Sequence, residues 1–196
     1  MKRWVLFFST AFSFYSLSAQ SYIEKLEIIN LQYKIDPEKS IGQLDTIVGF
    51  VGDEVDDFAT SKALNLKGNC YAELGNRDTS LIFFKQAQRI CRLNKDTFGL
   101  IKSWLSFAGS HLEFSAYLQA YALIDSSNIL ALQLKDTSLI IESLLSRAKL
   151  SYYKDEYNEA YKWLNLGVNR IDPFSFSFFC PFINHPNKDT PNFPFL

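Results

Sequence analysis

Few residues in this chain of 196 are suited to chemistry: two histidines, His111 and His185, and three cysteines, Cys70, Cys91 and Cys180. A metal site needs ligands at close, regular spacing. The two histidines lie in different regions, and neither has a second ligand near it. The sequence has no Gly-x-Ser-x-Gly elbow for acyl transfer, no His-Glu-x-x-His helix and no glycine-rich phosphate loop. The densest acidic group is Asp53, Glu54, Asp56 and Asp57. A calcium loop would alternate its ligands around a central glycine, and this run does not. It fits acidic residues gathered before a helix start, where they oppose the helix dipole. No catalytic, cofactor-binding or metal-binding residue is expected, and the chain reads as a binding protein rather than an enzyme.

The first residues bear on the compartment. Lys2-Arg3 precede an apolar run from Trp4 to Leu17, and Ser16-Leu17-Ser18-Ala19-Gln20 supplies small residues near a cleavage point. That is the layout of a secretory leader over 1–19, so the protein is expected to be exported, either periplasmic or secreted. The apolar run is short of the ~20 residues that span a bilayer, and no stable membrane span is expected after cleavage. The mature chain then carries 18 basic and 21 acidic residues, a net charge of −3. Its Lys and Arg are scattered singly, which argues against nucleic acid. Three cysteines leave one unpaired. Cys70 and Cys91 fall at points of a helical hairpin too far apart along its axis for a disulfide, so both read as buried free thiols.

What must position any site is a repeat of 40 residues. With Ser61, Ile101 and Ile141 as first positions, the fourth reads Leu64, Trp104, Leu144 and the eighth Gly68, Ala108, Ala148. The twentieth reads Ser80, Ala120, Ala160, and the twenty-fourth Phe84, Ile124, Leu164. Small residues twelve apart, with turn residues between, place two small side chains at the crossing of an antiparallel helical hairpin. Gly75-Asn76, Ser115-Ala116 and Asp155-Glu156 supply the turns, and Tyr117 and Tyr157 are placed to brace two of the hairpin mouths. Asp96-Thr97 and Asp136-Thr137 recur 40 apart and read as helix starts. The fold class is therefore all-α, with hairpins over about 61–94, 101–134 and 141–171.

These residues resemble the tetratricopeptide repeat family. Copy one matches its pattern as Leu64, Gly68, Tyr71, Gly75-Asn76, Ser80, Phe84 and Ala87. Copy two offers Trp104, Ala108, Tyr117, Ala120, Ile124 and Ser127; copy three offers Leu144, Ala148, Tyr157, Ala160, Leu164 and Gly167 before Asp172-Pro173. The departures are the longer period, Lys67 and Arg147 in place of a Leu, and His111 and Ser151 in place of a Tyr. The resemblance implies antiparallel hairpins stacked as a right-handed solenoid. Three repeats would occupy 61–173, with a degenerate helical pair over 20–60. It also implies a concave face built from the first helix of each hairpin, with Asn65, Asn69, Lys102, Leu105, Leu112, Lys149, Tyr152 and Tyr153 as groove residues for a protein or peptide partner. The competing reading is that these residues pack against the neighbouring repeat.

After Asp172 the composition changes: Pro173 to Leu196 holds five of the six prolines and seven phenylalanines, with no glycine. Repeated proline forbids a helix there, so 174–196 is expected to be irregular. The functional expectation is a non-catalytic exported scaffold that binds through its concave face. The alternative is the truncated input region of a membrane sensor kinase or regulator built on such repeats.

Overall fold

The computed structural model describes residues 22–51 and 57–170. The expected leader over 1–19, the side chains of the acidic run at 53–57, Cys180, His185 and the 174–196 tail lie outside the described residues. Eight helices appear among the described residues: α1 (22–32), α2 (Pro37–Val51), α3 (Asp57–Glu73), α4 (Arg77–Leu93), α5 (Thr97–Glu113), α6 (Tyr117–Leu134), α7 (Thr137–Tyr153) and α8 (Tyr157–Val168). No strand occurs among those residues, and none of their helices is long and apolar enough to cross a membrane. From α2 onward each helix begins 20 residues after the one before it. The 40-residue repeat is thus two equal helix-and-turn units, and α2 is already in register with them. The hairpins start four residues earlier than the apolar pattern placed them, at 57, 97 and 137.

The turns set this regularity. Gly75, Lys95, Ser115, Lys135 and Asp155 all take left-handed backbone, with φ of 73°, 56°, 56°, 56° and 61°. The next residue in each turn closes the helix behind it. Asn76, Asp96 and Ala116 donate their N–H to Tyr71, Cys91 and His111 carbonyls at 2.8 Å, and Glu156 donates to Ser151 at 2.9 Å. That is the paired closure that satisfies the last orphan carbonyls of a helix. The same residue also caps the helix ahead. Asn76, Asp96 and Asp136 accept from the N–H of Thr79, Gly99 and Leu139 at 3.2, 2.8 and 3.0 Å. Ala116 and Glu156 make no such side-chain cap. One residue ends a helix and starts the next, which leaves no slack to vary the spacing.

Only Gly75 suits its left-handed position without a Cβ penalty, which is ~1–2 kcal/mol for other residues. Lys135→Gly should therefore raise stability by about 1 kcal/mol, seen as a higher urea midpoint. An unchanged midpoint would mean that this turn does not hold Lys135 left-handed in solution.

From α2 to α8 each helix packs on its sequence neighbours, α1 shares an apolar cluster with α2 and α3, and in addition α3 touches α5 and α5 touches α7. Neighbours run antiparallel, as the stacked Tyr71 and Phe83 rings of α3 and α4 show at 5.3 Å. The odd-numbered helices run parallel, in one row. Among the described residues Phe84 is the largest fully buried side chain, and it lies against Gly68, where an added Cβ would sit 2.9 Å from its ring. Sequence spacing paired Gly68 with Ser80; the three atoms nearest a Cβ built on Gly68 belong to Phe84, and Ser80 is hydrogen-bonded to Ser110 at 3.2 Å. Ala108, Ala120 and Ile124 share one apolar cluster, in line with the second spacing pair. Cys70 and Cys91 are buried and free, as expected, and burial pushes the Cys70 thiol up to about 11.

Candidate functional site

The 40-residue period brings position-equivalent side chains side by side across the row of odd helices. Asn65 Nδ2 on α3 donates to Ser106 Oγ on α5 at 3.1 Å. Lys102 on α5 pairs with Glu142 on α7. Glu113, in the last turn of α5, accepts from Tyr153 Oη at 2.8 Å and pairs with Lys149 Nζ at 3.3 Å. On the other side of α3, Lys62 pairs with Glu27 of α1 at 2.5 Å, and Glu73 with Lys34 at 3.6 Å. On α3, residues 62, 65, 69 and 73 fall within one stripe at 3.6 residues per turn, as do 102, 106, 109 and 113 on α5. These contacts therefore mark one continuous polar face.

The eight expected groove residues divide on this face. Asn65, Lys102, Lys149 and Tyr153 are on it and partly exposed, each already joined to a neighbouring helix. Asn69 is on the same stripe and half-buried, and Tyr152 is 42% exposed beside it, edge-on to Tyr153 and Tyr157. Leu105 and Leu112 are buried, at 8% and 1% exposure, in two apolar clusters beneath the face. Those two support the face from below. Glu27, Lys34 and Ser106 belong to the face and escaped the sequence reading, although Lys34 stands 39 residues before Glu73 and Ser106 stands 41 after Asn65.

The same end of the row holds Tyr33, Glu73, Glu113 and Tyr153, spaced 40 apart in the last turns or just past them. Burial, then Glu73, Cys70 and Glu113, push the Tyr33 phenol up to about 12. Burial and the Glu113 hydrogen bond raise Tyr153, with Glu73 adding to it. Both tyrosines thus feel both carboxylates, so the two acids share one region of space.

A second feature lies between α6, α7 and α8, a cleft of about 170 Å³ lined by Tyr121, Arg147, Leu150, Ser151, Lys154, Glu156, Glu159 and Trp163. Arg147 dominates it. Its guanidinium sits 4.9 Å from the Tyr121 ring and 4.7 Å from the Trp163 ring, donates to Asp125 Oδ1 at 3.2 Å and to Tyr121 Oη at 2.9 Å. Each position has an equivalent 80 residues earlier: Lys67 pairs with Asp45 at 2.5 Å and lies 4.2 Å from the Phe83 ring. The intervening copy puts Phe107 at the cation's place, stacked on Phe84 at 5.0 Å. This cation lies between hairpins, where it joins three helices. Among the described residues no group of three potential metal ligands occurs.

His111 is half-buried and rests on the Phe107 ring, 4.3 Å between centroids. Burial, and then the Arg77 charge, hold its imidazole below the ordinary 6.5. The folded state therefore prefers the neutral ring, while the unfolded chain takes up the proton first as pH falls. Stability should be lost as pH drops through about 6.5 toward the depressed folded value. His111→Phe should remove that part of the loss between about pH 7.5 and 5.5. An identical pH dependence in the variant would show that another group titrates.

No protein-family model matches the sequence, and no curated protein matches it.

Proposed function

We propose that this protein is an exported, non-catalytic binding module whose hairpins stack as a tetratricopeptide-like right-handed solenoid and whose partner is a peptide segment of another protein. The observation that carries this reading is the parallel row of α1, α3, α5 and α7, whose shared face is polar, partly exposed and continuous across repeats. A face of that kind offers many weak polar contacts along a line, which suits a chain segment better than a compact small molecule. The leader-like first residues support export. Lys102, Lys149, Asn65, Asn69, Tyr152 and Tyr153 are the residues assigned to contact the partner, with Leu105 and Leu112 supporting them.

The test is site-specific photocrosslinking in the exporting cell. A crosslinker at Asn69, on the odd-helix face, should capture a discrete protein partner. The same group at Ile129 of α6, which is 51% exposed, should not. Equal capture from both positions, or from neither, would overturn the assignment of the face.

A further inference from the structure

The charges on this face are ordered, and their order is informative. On the two central helices, lysines stand near the N-terminal end and glutamates in the last turn: Lys62 and Glu73 on α3, Lys102 and Glu113 on α5. The flanking segments carry the reverse order, Glu27 on α1 then Lys34 in the turn just past it, and Glu142 then Lys149 on α7. Every ion pair on the face therefore joins a central helix to a flanking one. Between α3 and α5 the arrangement is different. Lys62 lies level with Lys102 and Glu73 level with Glu113, because Asn65 meets Ser106 at an offset of 41 residues. Like charges so placed repel. Across this junction the face is joined by the neutral Asn65–Ser106 bond, and Asn65 Oδ1 is a buried acceptor without a hydrogen-bond partner. The two central lysines and two central glutamates are each drawn outward by α1 and α7, leaving a strip bordered by cations at one end and carboxylates at the other. All four remain partly exposed, at 28%, 40%, 34% and 42%.

We propose that this α3/α5 strip receives an extended peptide segment of a partner protein that carries a carboxylate side chain at one end and a lysine or arginine at the other. The proposal rests on the peptide-binding reading above and specifies its ligand. A uniformly acidic segment would meet Glu73 and Glu113, and a uniformly basic one would meet Lys62 and Lys102; a bipolar one relieves both repulsions. Its length follows from the fold. Eleven residues of helix separate each lysine from its glutamate, or ~16 Å at 1.5 Å per residue. An extended chain covers that distance in about five residues.

The test is selection of a random nonapeptide display library on the full chain, with sequencing of the enriched pool. Enriched peptides should pair Asp or Glu with Lys or Arg about five residues apart. Selection on Lys62→Gln/Lys102→Gln should lose the acidic preference and keep the basic one, and Glu73→Gln/Glu113→Gln should do the opposite. A selected bipolar peptide should bind each double variant about tenfold more weakly, and raising salt to about 0.5 M should erase most of the difference. Melting temperatures near the parent's confirm that the variants are folded; should a double variant melt early, the single changes Lys62→Gln and Glu73→Gln give the same comparison. Enrichment without this charge spacing would overturn the proposal and leave the peptide-binding reading standing. No enrichment of any peptide would overturn both.

Discussion

Gly68→Ala should destabilise the parent protein, and the same change should become neutral or stabilising once Phe84 is Leu. A Cβ at Gly68 would lie 2.9 Å from Phe84 Cε1 and 3.0 Å from Cδ1 and Cζ. The ring has nowhere to move, since Phe84 is fully buried and stacked on Phe107. Overpacking of this kind costs ~1–3 kcal/mol, against about 1 kcal/mol gained by removing glycine from a helix interior. The net loss should be up to about 2 kcal/mol. Phe84→Ala alone should cost ~3–5 kcal/mol through the cavity it leaves. The sequence already contains the compensated pairs: Ala108 stands 16 residues before Ile124, and Ala148 16 before Leu164, as Gly68 does before Phe84. A urea-unfolding double-mutant cycle should therefore show coupling of about 1–2 kcal/mol between positions 68 and 84. Strict additivity would mean that the ring does not rest on Gly68.

That exchange of Gly with Phe for Ala with Ile or Leu shows why much of the architecture is legible without coordinates. Packing at a helix crossing depends on summed volume, so a repeat leaves its trace in residue sizes even where identities drift. The turns were equally plain where Asp96 and Asp136 cap a helix. Their exact phase was harder to place: Lys95, Ser115, Lys135 and Asp155 are left-handed without being glycine, and nothing in those residue types announces it. The N-terminal pair looked degenerate because its side chains differ, yet α2 keeps the 20-residue spacing. The face was only half readable. The resemblance to the repeat family implied Lys102, Lys149 and Tyr153 for it, but a family position does not separate a supporting residue from a contacting one, as Leu112 shows. Charge order was hidden for another reason. It emerges only when α1 is set beside α3, and the tertiary row, not local sequence, decides which helices are neighbours.

The second large effect concerns the cation joining hairpins at Lys67. Asp45→Ala should destabilise by ~1–3 kcal/mol, whereas Lys67→Met should be neutral or stabilising. The Lys67 side chain is only 11% exposed, and its ammonium is balanced by Asp45 at 2.5 Å and the Phe83 ring at 4.2 Å. Removing Asp45 strands a charge in a poorly solvated site, with the ring quadrupole as its remaining partner. Removing the charge itself asks for nothing in return. Asp45 is 56% exposed, so it regains water when unpaired, and a methionine of similar length keeps the packing against Phe83. The chain offers its own precedent, because the equivalent position 40 residues on is Phe107, an apolar side chain stacked on Phe84. Arg147, 80 residues on and 17% exposed, should follow the same rule more weakly. Its Asp125 is one of several partners, so Asp125→Ala should cost less than Asp45→Ala. Thermal denaturation of the three variants checks the order. If Lys67→Met melts below Asp45→Ala, the ion pair is a net source of stability, and the desolvation argument for this position is wrong.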